Sequence, residues 1–299
     1  MSLVAFKDLM AEAETGGYAV GYFESWNLES LEAVADAAES MRSPVLLGFS
    51  GIYLPHPSRR TKENLSIYAA LGIEVCKKLT VPSCLIFNES PYFDWVTEAI
   101  DLGFGLVMYT NGCLRLQQQT DQVRRVVDRA HLSGVAVEGE LISLAGLGGE
   151  LSAPPEETRL DDPKLARIFV EQTGVDALAV SVGQAHLHAR SEVRLNLSRL
   201  AELRRMVPVP LVLHGATSIS QSDLKEAIQL GVRKINVGSV LKRSYFEAVR
   251  RECSKIGEEY NPYEVVGSGL EKDVLTTGRL ALQETVQELI SLFGSADKA

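Results

Sequence analysis

The feature that most constrains this 299-residue chain is a repeat of short, almost uninterrupted apolar runs separated by longer stretches of helical period. The runs fall at 18–23, 45–49, 83–87, 106–109, 135–138, 177–182, 211–214 and 234–237. A strand with one wet face alternates apolar and polar residues, whereas a strand covered on both faces does not, and a parallel sheet flanked by helices covers both. Between the first two runs, Leu28, Leu31, Val34, Ala38 and Met41 recur at helical steps behind Asn27, a good N-cap. After the seventh, Ser220-Gln221-Ser222-Asp223 opens a helix, Leu224, Ala227 and Ile228 share one face, and Gly231 stops it before the next strand. Eight such units predict an α/β chain folded as a (β/α)8 TIM barrel, with a doubly wound open sheet as the alternative. No boundary interrupts the pattern, so residues 1–299 read as a single domain, with an extra C-terminal helix at 280–292 that is a candidate oligomer contact.

Composition narrows the partners. With 45% hydrophobic and 23% charged residues, the chain has the means to bury a large core. Its formal net charge of −9 and lack of basic clusters exclude nucleic acid as the main partner. The longest apolar stretches, 81–87 and 177–183, fall short of the ~20 residues a membrane span requires. Lys7 and Asp8 interrupt any secretory signal core, so no membrane partner and a cytoplasmic location are expected. Cys76, Cys84, Cys113 and Cys253 lack paired spacing and read as buried or semi-buried thiols, not disulfides.

Polar residues interrupt the apolar runs at their carboxyl ends: Ser50, Asn88 and Glu89, Thr110, Glu138, His186, His214, and Asn236 with Ser239. In a (β/α)8 barrel these ends form the rim where active sites are built. Two histidines and two glutamates there suit a divalent cation, although each histidine alone could equally be a core imidazole, and Glu138, two residues from Glu140, a structural carboxylate. The turn Gly215-Ala216-Thr217-Ser218 and the segment Asn236-Val237-Gly238-Ser239 follow the seventh and eighth strands, where barrels often hold phosphate. A phosphorylated substrate follows as an expectation. The irregular stretch 142–161, with Gly146, Gly148, Gly149, Pro154 and Pro155, reads as a lid. His188 is either a partner of a ligand or solvated; His56, His131, Cys84 and Cys113 read as structural or surface residues, and Trp26 and Trp95 as packing.

Several segments together carry a family likeness: Gly16-Gly17-Tyr18-Ala19-Val20-Gly21, Val137-Glu138-Gly139-Glu140-Leu141, Gly183-Gln184-Ala185-His186, Pro210-Leu211-Val212-Leu213-His214-Gly215, Lys234-Ile235-Asn236-Val237 and the closing Leu292-Phe293-Gly294-Ser295-Ala296. The chain resembles the class II, metal-dependent ketose-bisphosphate aldolases, in particular their tagatose- and fructose-bisphosphate branch, over its whole length. The resemblance implies a barrel, a catalytic Zn2+ or another divalent metal, a homodimer or homotetramer, and reversible cleavage of a phosphorylated ketose into dihydroxyacetone phosphate and an aldehyde. It makes His186 and His214 metal ligands and places Glu138 beside the metal. It assigns Gly215, Thr217, Asn236, Gly238 and Ser239 to the substrate phosphate and ketone-side hydroxyls, and Ser50 to the carbonyl region.

The likeness also exposes departures. Where the family carries an acid–base Asp followed by a ligating His, this chain has Asn88-Glu89, and an amide does not exchange a proton near neutral pH. Thr110 stands where the family usually has an Asp, and Leu187 where it has a glycine. Glu89 is then either the third metal ligand or the base that Asn88 is not; with Asn88 and Glu138 it completes the candidate catalytic set. The expectation is an aldolase-like lyase with an altered substrate or proton route. An isomerase or epimerase using the same enediolate chemistry, or a non-catalytic sugar-phosphate-binding or subunit-like protein, are the alternatives.

Overall fold

The computed structural model describes residues 2–146, 151, 159–186 and 192–299. Helix α1 (Phe6–Gly16) leads into β1 (Val20–Ser25), and strands and helices then alternate: α2 (Leu28–Ser40), β2 (Val45–Ser50), α3 (Leu65–Lys78), β3 (Ser83–Ser90), α4 (Phe93–Asp101), β4 (Leu106–Tyr109) and α5 (Leu116–Leu132). They continue as β5 (Ala136–Glu140), α6 (Pro163–Thr173), β6 (Ala177–Ala179), α7 (Leu197–Met206), β7 (Leu211–Leu213), α8 (Gln221–Gln229), β8 (Val232–Val237) and α9 (Ser239–Cys253). A short α10 (Pro262–Val265) and a long α11 (Val274–Phe293) follow. The eight strands close into a parallel barrel in chain order, β8 pairing back onto β1, which is the (β/α)8 architecture and excludes the open sheet.

The side-chain period of two divides each strand between two cores. Even-numbered residues such as Val20, Tyr22, Leu46, Cys84, Ile86, Leu106, Met108 and Val212 fill the barrel interior, where Phe6, Leu9, Met10 and Ala13 of α1 pack against them. Odd-numbered residues such as Phe23, Leu47, Phe49, Leu85, Phe87 and Val107 face outward into a larger core shared with the helices. Both faces are dry, so the runs are apolar without alternation.

Local signals set the helix ends. Asn27 Oδ1 accepts from Ser30 N at 3.0 Å while Ser30 Oγ accepts from Asn27 N at 3.0 Å, a closed capping box. Ser220 Oγ accepts from Asp223 N at 3.1 Å at the start of α8. Gly231, with φ +104°, turns the chain from α8 into β8 in a conformation costly for any residue with a Cβ.

Strand boundaries differ from the sequence expectation in ways that matter for the rim. β3 runs on to Ser90, so Asn88 and Glu89 lie within it, and β7 stops at Leu213, leaving His214 one residue beyond. β6 is only three residues, because the chain leaves the ladder after Ala179. Cys76 and Cys84 are buried, but Cys113 and Cys253 are exposed, correcting the expectation of at least partial burial for all four. Most of the stretch read as a lid, 147–150 and 152–158, lies outside the described residues, as do Leu187 and His188.

The C-terminal helix is longer than 280–292 and is part of the barrel's outer layer. α11 packs against α2 and α9; Phe293 stacks on Phe23 at 6.2 Å between centroids, Phe293 O accepts from Ala19 N at 3.1 Å, and Arg279 pairs with Asp36 at 2.6 Å. Truncating Phe293 to alanine removes a fully buried ring from the seam between β1 and α11. It should lower unfolding free energy by about 3–5 kcal/mol in a urea titration; a loss below about 1 kcal/mol would make α11 an appendage.

Candidate active site

The inward face, even-numbered on most strands, turns polar as it reaches the carboxyl end. Tyr22 gives way to Glu24, Gly48 to Ser50, Ile86 to Asn88, Met108 to Thr110, and Ala136 to Glu138 and Glu140; Lys234 is followed by Asn236. These side chains converge because the barrel is closed. Glu89 breaks the parity. Its φ is +53°, left-handed for a residue with a Cβ, and the β3–β4 register shifts between Phe87 and Ser90. That local strain turns inward a side chain that regular pleating would aim at the helices.

Glu89, His186 and His214 each present a donor atom, and the three atoms lie within 4.8 Å of one another. Glu89 Oε1 is 3.0 Å from His214 Nδ1 and 3.5 Å from His186 Nε2, and the buried Nε2 has no hydrogen-bond partner. Two imidazoles and a carboxylate are a donor set suited to zinc or another borderline divalent ion, and an orphaned imidazole nitrogen aimed at the carboxylate is what such an ion would satisfy.

Behind this trio lies a buried chain of charge. His214 Nε2 is 2.6 Å from Glu138 Oε1, and Glu138 Oε2 is 2.7 Å from Lys234 Nζ. Glu138 and Lys234 are both fully buried, and the ammonium lies 5.3 Å from the Tyr22 ring centroid. Glu138 therefore holds His214 in place from behind and stands outside the donor trio, with Glu140 also apart from it. The Glu140 carboxylate accepts hydrogen bonds from Thr110 and, at 2.5 Å, from Ser143 Oγ; burial raises its pKa, with those two hydroxyls opposing.

Amides link the trio to the strand beside it. Asn88 Nδ2 donates to Glu89 Oε2 at 2.7 Å, and Asn236 Nδ2 donates to Asn88 Oδ1 at 3.3 Å. Lys234 Nζ donates to Asn236 Oδ1.

An open cleft lies over the rim, lined by Ser50, Asn88, Glu89, His186, Gly215, Thr217, Asn236, Gly238 and Ser239 among others. Of the rim residues singled out from sequence, Thr110, Glu138 and His214 do not line it; all three are buried. Gly215 has φ +66°, and a Cβ there would come within 2.7 Å of Ala185 O, so the turn carrying Thr217 admits only glycine. Thr217 Oγ1 accepts from Val240 N at 3.3 Å, joining that turn to the first turn of α9. A turn of small residues beside the amino end of a fifteen-residue helix is a setting for an anion. Sequence reading missed three participants: Glu24 and Lys242 line the cleft, and Lys234 lies below it. Glu24 and Lys234 were findable, since both continue an inward-facing series.

Comparison with known proteins matches residues 4–298 to the family described as fructose-bisphosphate aldolase, class-II. A fructose-bisphosphate aldolase of Thermus caldophilus is 30% identical over 320 aligned positions, covering 99% of this chain and 100% of that protein. Among solved structures, the YdjI aldolase of Escherichia coli K12 superposes with a TM-score of 0.78 at 28% identity, covering 98% of each chain. A fructose-bisphosphate aldolase of Campylobacter jejuni shares the fold with a TM-score of 0.79 at 19% identity, covering 100% of this chain and 97% of that one.

Burial disfavours a charged His214, but Glu89 and Glu138 at its two ring nitrogens outweigh burial and push its pKa up to about 10. A raised imidazolium pKa stabilises the metal-free fold fully below the unfolded value of ~6.5, and that contribution is lost as pH rises toward 10. A metal ion at the trio must displace the proton between His214 and Glu89, so zinc affinity should rise about tenfold per pH unit between pH 6 and 8. Competition titration against a chromophoric chelator reads this directly; a flat profile would mean that His214 is not a ligand.

Proposed function

Since the chain belongs to the class-II fructose-bisphosphate aldolase family, a family of metal-dependent carbon–carbon lyases, we propose that Glu89, His186 and His214 hold its divalent ion, zinc by their chemistry, and that the cleft above them binds a phosphorylated ketose. The observation that carries this reading is the convergence of three donor atoms within 4.8 Å beside a cleft whose wall includes the Gly215–Thr217 turn and Ser239. The carboxylate takes the place of the family's third histidine, and the strained backbone at Glu89 is what brings it within reach.

When bound, the ion supplies Lewis acidity for the negative charge that builds on the ketose oxygens as the carbon–carbon bond breaks. The chain's own residues do the rest. Gly215, Thr217, Gly238 and Ser239 hold the phosphate through backbone and hydroxyl donors, and Asn236 and Ser50 orient the ketone-side oxygens. Asn88 positions Glu89 by the 2.7 Å hydrogen bond and transfers no proton. Proton handling at the hydroxyl that becomes the aldehyde therefore follows a route other than residue 88, the altered step expected from the sequence. Glu138 acts through His214, as a positioning residue, and not on substrate.

The isomerase or epimerase and the non-catalytic alternatives are not favoured, because the family and its relatives are aldolases. The reading extends to a homodimer or homotetramer acting in the cytoplasm. No helix among the described residues is long and apolar enough to cross a membrane.

Glu89→Gln separates ligand from base. As a ligand variant it should lose zinc, by elemental analysis, together with at least about a hundredfold in ketose-phosphate cleavage. Zinc retained at one per chain with turnover abolished would make Glu89 the base and overturn the ligand assignment.

A further inference from the structure

Lys234, Asn236, Asn88 and Glu89 form a line of hydrogen bonds that crosses the mouth of the barrel. β8 carries the first two residues and β3 the last two, and β1 and β2 stand between those strands. Lys234 Nζ donates to Asn236 Oδ1, Asn236 Nδ2 donates to Asn88 Oδ1 at 3.3 Å, and Asn88 Nδ2 donates to Glu89 Oε2 at 2.7 Å. All four residues are buried. The sense of the line is fixed at both ends, because an ammonium only donates and a carboxylate only accepts. Turning Asn236 over would set its Nδ2 against the ammonium, and turning Asn88 over would set its Oδ1 against the Glu89 carboxylate. Asn236 Nδ2 also lies 2.8 Å from His214 Nε2, whose acceptor is Glu138 Oε1 at 2.6 Å.

We infer that Lys234 positions Glu89 through this relay, and that Asn88 and Glu89 are a coupled pair in which the amide selects the carboxylate oxygen offered to the metal. The inference rests on the assignment of Glu89 as a ligand above. Asn88 occupies Oε2, which leaves Oε1 as the oxygen 3.0 Å from His214 Nδ1 and 3.5 Å from His186 Nε2. The left-handed backbone at Glu89 brings the carboxylate inward, and the amide decides how it is turned. Lys234 thereby reaches the donor trio from two sides, through Glu138 to His214 and through the two asparagines to Glu89. An aspartate at 88 would still accept from Asn236, but it would set a second carboxylate against Oε2, and like charges at that spacing repel. Glu89 relieves such a contact only by turning Oε2 away, which carries Oε1 off the two imidazoles. Residues 88 and 89 therefore change together: an amide suits a carboxylate neighbour, and a carboxylate suits an imidazole.

Zinc affinity of the full chain, measured by competition with a chromophoric chelator, tests this without reference to turnover. Asn88→Asp should bind zinc at least about tenfold more weakly than the wild type. Plain charge attraction gives the opposite sign, since the substitution adds a carboxylate beside a cation. Adding Glu89→His to Asn88→Asp should restore affinity to within about threefold of the wild type. Lys234→Met should weaken binding at least about tenfold in the wild type. In the Asn88→Asp/Glu89→His background, where the relay no longer ends on a ligand, its effect should be at least about threefold smaller. Unchanged or tighter binding by Asn88→Asp, no recovery in the double variant, or equal losses from Lys234→Met in both backgrounds overturns the inference alone. A wild type that binds no zinc, or a Glu89→Gln variant that retains it, overturns the ligand assignment and the inference with it. Lys234→Met leaves Glu138 without its counter-ion; should it not fold, the variants at residues 88 and 89 decide.

Discussion

The interaction on which the site depends is the buried line of charge running Lys234, Glu138, His214, Glu89. Each of these groups is costly to take out of water alone, and a buried ion pair that loses one partner leaves a charge with nothing to offset it. Burial pulls the Lys234 ammonium below its usual pKa, with Glu138 working against that. Burial would raise Glu89, yet His214 and His186 beside it hold it well below the ordinary carboxylate range. Without an ion, a protonated His214 with Lys234 balances the two carboxylates. A divalent ion held by the proposed trio would leave the histidine neutral and would offset the carboxylates in the proton's place. One constellation thus serves two states of charge, and the barrel must be rigid enough to hold it in both.

That rigidity comes from closure. A closed parallel barrel leaves its inner face no freedom of register, so the inward positions of all eight strands rise toward the same rim. Lower down, the inward residues are Val20, Leu46, Ile86, Leu106 and Val212, which exclude water from beneath the charged line. Low polarity below strengthens the Glu138–Lys234 attraction above, and the apolar strands and the polar rim act together. The outer helices have a quieter part. α9 brings both the phosphate-side helix start and Lys242 to the cleft, while α11 clamps α9 and α2 onto the barrel.

Much of this was legible in the sequence because it follows from periodicity. Uninterrupted apolar runs implied strands dry on both faces, and the capping residues Asn27 and Ser220 marked helix starts that the structure places where expected. The carboxyl-end polar residues Ser50, Asn88, His186, Thr217 and Asn236 stand around one cleft. What a one-dimensional reading could not resolve was depth. Glu138 and Lys234 are two residues along their strands from groups on the rim, yet they lie below it and face each other, so Glu138 touches His214 instead of standing among the donor atoms. Glu89 was ambiguous for a different reason: its inward aim depends on a left-handed backbone that no residue preference announces. Glu24 was overlooked because it follows an apolar run and looks like a helix-approach residue, although its parity with Tyr22 points inward.

The central claim is that a glutamate has replaced a histidine in an otherwise two-histidine metal site. X-ray absorption at the zinc edge of the zinc-loaded protein tests it most directly, since imidazole gives outer-shell scattering that a carboxylate lacks. The account predicts two imidazole nitrogens with the remaining first shell oxygen, all at about 2.0–2.2 Å. A third imidazole in the wild type, or fewer than two, would contradict the donor set and with it the account of how this site works.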